Sequence, residues 1–470
     1  MTQPRNAVLN TSTILFGTCL LALATAFGCG GDDDDAGSPT GAGGMGGDGS
    51  TSTTTGGTTG TGGAAQGAGG MTGTGGTTGT GGDGAGGDPG QGGTSADGGS
   101  GGDGGSGGEE PVGCTVEPGT WDATDFATNA AEALALRAQL QALVSALQTA
   151  EDPASPTTVV ALEDLFEAGD PSLADITTAH YAGVLDDLFA DFVADQGETF
   201  DPGVSGGAVD IDPDPTAATF RIFSTGAVEY RQIVDKGLFA GGALYNYAAG
   251  LTAGAITPVT VQSIAAAFGA NPNLNPGSGA STTPEENRNV HSGNYVFAMG
   301  FYDGDNGSIR QALIEAQAYA ASPACEEERD DALRDAFETW ERGVTARVIF
   351  YANAAHTELA AATTLEERLG PMHELAEGLG LAAGFYGVAD PASGPLSTAN
   401  GGARIVTDTE LEEILSLLHL STDGTGTVNE ILSDMDELDE LQDGIDAIGE
   451  VYGLSADEID DHRDGANNPG

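Results

Sequence analysis

Glu229-Tyr-Arg-Gln-Ile-Val-Asp-Lys-Gly-Leu-Phe-Ala-Gly-Gly-Ala-Leu-Tyr-Asn-Tyr247 carries its apolar groups at Tyr230, Ile233/Val234, Leu238, Gly241/Gly242 and Tyr245. Steps of three and four place these on one stripe of an α-helix, with glycines where a second helix can approach closely. The same stretch holds Glu229, Gln232 and Lys236, the only lysine of the 470-residue chain. A lone lysine on a glycine-bearing apolar helix reads as part of a buried polar network, paired with Asp235 or Glu229 or reaching an internal carboxylate. A catalytic amine would need a pocket that lowers its pKa, and no neighbour in sequence supplies one.

Helical periodicity continues on both sides. Upstream, Ala133, Leu136, Leu140, Leu143/Val144 and Leu147 form one stripe, Val159 to Ala168 a second segment, and Leu173 to Val193 a third. Phe200 to Pro215 is Pro, Gly and Asp punctuation and reads as a loop. Downstream, Pro258 suits a first helical turn, and a helix starting at Pro284-Glu-Glu would carry His291, Tyr295 and Phe297. The clearest stripe lies within Glu327–Ala361, at Leu333, Phe337, Trp340, Val344, Val348 and Tyr351, with Asp330/Arg334 and Glu338/Arg342 spaced i,i+4. Gly370-Pro371 reads as an interruption before a helix from Met372 to Tyr386. Short acidic helices follow, from Glu410 to Leu420 and Leu438 to Val451, with capping boxes at Thr427-Val-Asn-Glu430 and Ser455-Ala-Asp-Glu458. No stretch alternates as a strand does. The expected fold is all-α, a multi-helix bundle over residues 111–464 arranged as one bundle or two sub-bundles, with 465–470 a disordered tail.

Residues 1–29 read as an export signal, with Arg5 followed by an apolar run from Ile14 to Phe27 that is short for a membrane span. Ala26-Phe-Gly-Cys29 resembles a bacterial lipobox, which makes Cys29 the lipidation site. Simple signal cleavage or an uncleaved anchor are the alternatives. Residues 30–110 are Gly, Thr, Ser, Ala and Asp in quasi-repeats, too poor in large apolar side chains to fold. They are expected to form a disordered tether with an r.m.s. reach of roughly 50 Å. Gly30 is not the aspartate of inner-membrane retention, so the expected location is the cell envelope, at the outer membrane, facing the periplasm or the cell surface.

The net charge is −57, and residues 111–470 alone retain about −47. Such a surface excludes nucleic acid and anionic headgroups as partners and suits a cation or a basic partner; membrane contact would come through the lipid alone. Cys114 and Cys325 remain after Cys19 and Cys29 are assigned to the leader. Two thiols in an oxidising compartment suggest one disulfide closing a loop of about 210 residues, worth roughly 5 kcal/mol in the chain-entropy account.

Glu229-Tyr-Arg-Gln-Ile-Val-Asp-Lys-Gly-Leu238, Ala346-Arg-Val-Ile-Phe-Tyr351 and His373-Glu-Leu-Ala-Glu-Gly-Leu-Gly380 together resemble the DUF4856 lipoproteins, relatives of the imelysin-like proteins. The resemblance spans about 220–386. It implies an exported helical bundle of a kind associated with iron uptake, some of whose members are classed as metallopeptidases. The imelysin-like signature is Gly-x-His-x-x-Glu, from which this chain departs: Glu374 and Glu377 follow His373 at one and four residues. His373 and Glu377 still share one helical face and are the candidate metal ligands, for a divalent metal or iron. His-Glu-x-x-His is incomplete, because the second histidine is missing. His356, Glu358 and Tyr302-Asp303 are candidate distant partners, and Glu366 would lie beyond the Gly370-Pro371 interruption. Asp303-Gly-Asp305-Asn-Gly307 and Thr422-Asp-Gly-Thr-Gly426 read as turns, since neither has the ligand spacing of a calcium loop. Nucleotide-binding and nucleophile-elbow motifs are absent from the sequence. Three functions are expected to compete: binding of a ligand such as a cation or iron species without turnover; metal-dependent hydrolysis of imelysin type; and a structural or adhesion module on a stalk. An enzyme is the weaker expectation.

Overall fold

The computed structural model describes residues 113–211, 219–275, 289–303, 308–402 and 404–465. The expected export signal with Cys29, the glycine-rich stretch, most of the Asp303 loop and the last five residues lie outside them.

The first helices follow the stripe. Helix α1 is Phe126–Asn129, and α2 (Ala131–Ala150) buries Leu136, Leu140, Leu143 and Leu147. Helix α3 (Val159–Phe166) begins at Thr158, whose hydroxyl accepts from the Ala161 N–H. What periodicity suggested as one helix over 173–193 is two, α4 (Leu173–Ile176) and α5 (Ala179–Asp195). Thr177 and Thr178 are extended between them: the Thr177 hydroxyl donates to the Leu173 carbonyl at 2.7 Å, and Thr178 caps α5. Side-chain bonds of this kind compete with helix continuation.

The stretch read as a loop contains a strand, and its partner follows. β1 (Gly207–Asp210) pairs antiparallel with β2 (Phe220–Phe223), Gly207 opposite Phe223. Four residues are too few for alternation to show. Gly207 is needed there, because a Cβ would lie 2.6 Å from the Glu198 carbonyl oxygen.

The central helix is not uniform. It comprises α6 (Tyr230–Gly237), a π-helical turn over Leu238–Gly242 and α7 (Leu244–Leu251). A π turn inserts a residue into the helical ladder and re-aims the glycines. A Cβ on Gly241 would stand 2.5 Å from the Gly384 carbonyl oxygen, and one on Gly237 would overlap the Tyr181 ring. The close approach expected of these glycines is therefore to a downstream helix and to α5.

Helix α8 (Pro258–Phe268) has Pro258 in its first turn and a Thr257/Thr260 capping box. Helix α9 is Ser292–Ala298; His291 precedes it at φ 49° instead of riding on it. After α10 (Ile309–Tyr319) comes α11 (Glu326–Ala361), the longest helix described, against which α9, α10 and α12 (Leu365–Ala383) pack. The expected interruption at Gly370-Pro371 is not there. The chain breaks at Ala362–Thr364, where a Thr364/Glu367 capping box starts α12, and Pro371 is carried inside that helix. The expected i,i+4 pairs on α11 are also replaced: Arg334 pairs with Asp331, Arg329 with Asp330, and Arg342 donates to the Tyr452 carbonyl at 2.9 Å.

The C-terminal part adds α13 (Asp408–Leu417), α14 (Val428–Ser433), α15 (Met435–Leu438), α16 (Glu440–Tyr452) and α17 (Ala456–Arg463). The Ser455/Glu458 box forms; Thr427 makes no side-chain cap. The Thr422–Gly426 segment is a turn, with Leu420 bridged to Gly426.

One core runs through these helices. Its centre is aromatic: Tyr245 meets Phe337, Trp340 and Phe385 edge-on at 5.2, 5.1 and 5.3 Å, and Trp340 meets Phe268 at 5.0 Å. Such contacts add about 0.5–1.5 kcal/mol each beyond the area buried. Cys114 is bonded to Cys325, tying the segment before α1 to the start of α11. Among the described residues no helix is long and apolar enough to cross a membrane.

Candidate functional site

The three quoted motifs meet at one place. Phe223 of β2 bridges to Glu229, which sets the start of α6 beside the hairpin and brings Arg221 next to Glu229. Helix α12 crosses α6 closely because Gly380 faces the backbone of Gln232; a Cβ there would be 2.5 Å from that carbonyl oxygen. This approach delivers His373 and Glu377 to Glu229 and Lys236.

Glu229 is fully buried. Its Oε2 lies 2.6 Å from His373 Nδ1, and its Oε1 is 3.3 Å from Arg231 and 3.6 Å from Arg221. Both arginines also face Glu151 at the end of α2, at 3.2 and 3.5 Å. On the other side His373 Nε2 is 3.7 Å from Glu377 Oε1, which is 3.2 Å from Lys236 Nζ. Lys236 also reaches Asp235 at 3.4 Å and lies 5.3 Å from the centre of the Tyr295 ring. Arg347 of α11 stacks on Phe350 and Tyr351 and donates to the Tyr351 hydroxyl at 3.2 Å. The Gln232 amide lies 3.4 Å from His373 Nδ1.

These contacts govern the charge states. Burial opposes ionisation of Glu229, yet His373, Arg231 and Arg221 prevail and hold its pKa at about 2. Burial likewise opposes the imidazolium of His373, and the Glu229 carboxylate overcomes it, raising the pKa to about 9. Glu377 is held low against burial by Lys236 and His373. Glu151 and Asp235 are pushed upward, in each case chiefly by burial. Glu374, half-buried beside His373, is raised to about 7 by burial and by the charges of Glu358 and Glu377.

The buried oxygens Glu229 Oε1, Gln232 Oε1, Glu374 Oε2 and Glu377 Oε1 receive no hydrogen bond, although cationic nitrogens stand 3.2–3.3 Å from the first and the last. His373 reaches solvent, its side chain being 17% exposed, as do Asp235 at 15% and the half-buried Glu374.

The fold thus brings His373, Glu377, Glu229, Gln232 and Lys236 into one cluster. Among the described residues no third His, Cys, Asp or Glu atom completes a ligand set with His373 and Glu377; the neighbour is the Lys236 ammonium. Of the suggested distant partners, Glu358 is near enough to help raise the pKa of Glu374, and the others lie elsewhere. His356 faces Asp439 at 3.5 Å, Asp303 pairs with Arg310 at 3.7 Å, and Glu366 is exposed on the same helix as His373. Sequence reasoning missed Glu151, Arg221, Arg231, Arg347, Tyr351 and Glu374. A signal was present in the composition, since four of only 14 lysines and arginines are buried in this one cluster.

Comparison with protein-family models, with curated proteins and with solved structures finds no match to this chain. Fold and site define an all-α bundle built around a buried ionic cluster.

Proposed function

We propose that the chain is an exported, lipid-anchored helical-bundle protein, of the DUF4856 and imelysin-like kind, that binds a cation at the His373 cluster without chemical turnover. The carrying observation is that the buried oxygens Gln232 Oε1 and Glu374 Oε2 beside His373 receive no hydrogen bond. A buried acceptor left without a donor costs about 1–3 kcal/mol, more when charged, so a cation or donor entering there is favoured. The charge balance supports the same reading. Glu229 and Glu377, both held ionised, flank the His373 imidazolium, so two carboxylates face one replaceable proton. A cation that takes the place of that proton satisfies the same carboxylates. Hydrolysis of imelysin type would need a third ligand beside Glu377, a position at which Lys236 stands.

The test is a titration of the mature protein with Fe²⁺ and, separately, Zn²⁺, with metal counted by elemental analysis and proton release followed by calorimetry in two buffers. One equivalent should bind with proton release and bind more tightly as pH rises toward 9, where the His373 proton ceases to compete. His373→Gln and Glu377→Gln should each lose that equivalent. Unchanged metal content in both variants would make the cluster a structural network, and chelator-sensitive peptide hydrolysis would replace binding by turnover. A mature N-terminus at Cys29 carrying acyl chains, read by mass spectrometry, tests the anchor and the envelope location.

A further inference from the structure

A second cluster lies at the C-terminal end of the bundle, apart from the His373 site. His419, two residues beyond α13, Glu437 of α15 and Glu440 of α16 each offer one ligand atom, and these atoms all lie within 4.8 Å of one another. We infer that His419, Glu437 and Glu440 form a site for a divalent transition-metal ion of the zinc type, pinning the 418–427 turn to α15 and α16.

The imidazole is placed for this before any ion arrives. His419 is buried, its side chain 4% exposed, and its backbone sits at φ 61°, a left-handed conformation that a non-glycine residue keeps only when its surroundings impose it. Here the imposing contacts are the Leu420–Gly426 bridge and the Thr427 N–H donating to the His419 carbonyl at 2.9 Å. His419 Nδ1 lies 3.3 Å from the Thr427 hydroxyl. The Thr427 hydroxyl on Nδ1 holds the ring in place, while the Glu437 carbonyl can only accept from Nε2, so an entering ion takes the place of the Nε2 proton. Nε2 lies 3.6 Å from Glu440 Oε2 and 3.4 Å from the Glu437 carbonyl oxygen.

The dimensions fit a small ion. Ligand atoms bonded tetrahedrally at about 2.0–2.1 Å stand about 3.3 Å from one another. The His419–Glu440 separation is already close to that value, and Glu440, whose side chain is 43% exposed, has room to close the rest. One imidazole with two carboxylates suits zinc and its neighbours better than calcium or magnesium, which take oxygen ligands throughout. Three protein ligands leave a fourth position for water. His419 also lines a surface cleft of about 350 Å³ with Glu412, Ser416 and Thr427.

The test uses the full mature chain, stripped with chelator, reloaded with zinc chloride and dialysed against metal-free buffer. Zinc per chain, melting temperature and the X-ray absorption edge are measured for wild type, Glu440→Gln, His419→Asn and His373→Gln. Asparagine tolerates the left-handed backbone, and Glu440 is exposed enough that its substitution leaves the fold intact. One tightly held zinc beyond any equivalent at the His373 cluster is expected, with a single imidazole in its shell and a rise in melting temperature. Glu440→Gln and His419→Asn should each lose this equivalent, and His373→Gln should keep it. Zinc content of Glu440→Gln equal to wild type, zinc removed by dialysis, or loss confined to His373→Gln would each overturn the assignment; the last would also leave the His373 reading standing by itself.

Discussion

Replacing Glu229 by glutamine removes the anion on which three buried cationic groups converge while keeping its shape. Arg231 and Arg221 then share Glu151 alone, and His373 loses its 2.6 Å partner. Breaking a buried pair by deleting one charge costs about 3–5 kcal/mol. The histidine supplies an independent measure. Its displacement from 6.5 to about 9 corresponds to about 3 kcal/mol of coupling between folding and protonation. The sign follows from each group. A raised histidine pKa contributes stability that is complete below 6.5 and is lost as pH rises through about 9. A depressed carboxylate contributes stability present above 4.5 and lost as pH falls toward about 2. The pair therefore stabilises wild type most between about pH 4.5 and 6.5. In Glu229→Gln both flanks should flatten, and burial should carry the His373 pKa below 6.5 instead of above it. Urea denaturation from pH 4 to 10, with the His373 ring proton followed by NMR, reads both quantities. A loss under about 1 kcal/mol at pH 6, together with His373 still titrating near 9, would refute the reasoning.

Three further outcomes are expected. Gly380→Ala places a methyl 2.5 Å from the Gln232 carbonyl and 2.9 Å from Lys236 Cβ, so urea denaturation should show a loss of about 1–3 kcal/mol, and the His373 pKa should drop as α12 moves off α6. Glu341→Ala strands the Ile405 and Val406 N–H groups and the Tyr452 hydroxyl, all within 2.9 Å of its carboxylate; a destabilisation of about 3 kcal/mol or more should appear in thermal melts and proteolysis. Cys114→Ser opens the 211-residue loop closed by the Cys325 bond, which should cost about 2–5 kcal/mol in equilibrium unfolding, and reductant should then have no additional effect.

Stripes at three and four were enough to read the helical class, because an amphipathic helix must bury one face wherever it docks. The stripe at Ala133 to Leu147 became α2, and that of Leu333 to Tyr351 the central part of α11. Punctuation was less dependable. Gly370-Pro371 was expected to interrupt the helices, but α12 begins six residues before Pro371, because the Thr364/Glu367 box nucleates it upstream. The four-residue strands of the hairpin are stabilised by contacts with α5 and α6, which no local pattern reveals. Glu229, Gln232, Lys236, His373 and Glu377 could be named from residue type and helical spacing. Arg221, Arg347 and Glu151 could not, since each comes from a different element and looks locally like an ordinary surface charge.

Local side-chain chemistry, acting within a few residues along the chain, determined that these segments are helices and which faces are apolar. Its being the only lysine marked Lys236 as unusual. Only the tertiary packing decided which charges neutralise which. Glycines at 241, 380 and 384 let α6 and α12 come within backbone contact, and at that separation, away from water, a carboxylate and an imidazole 144 residues apart fix each other's protonation.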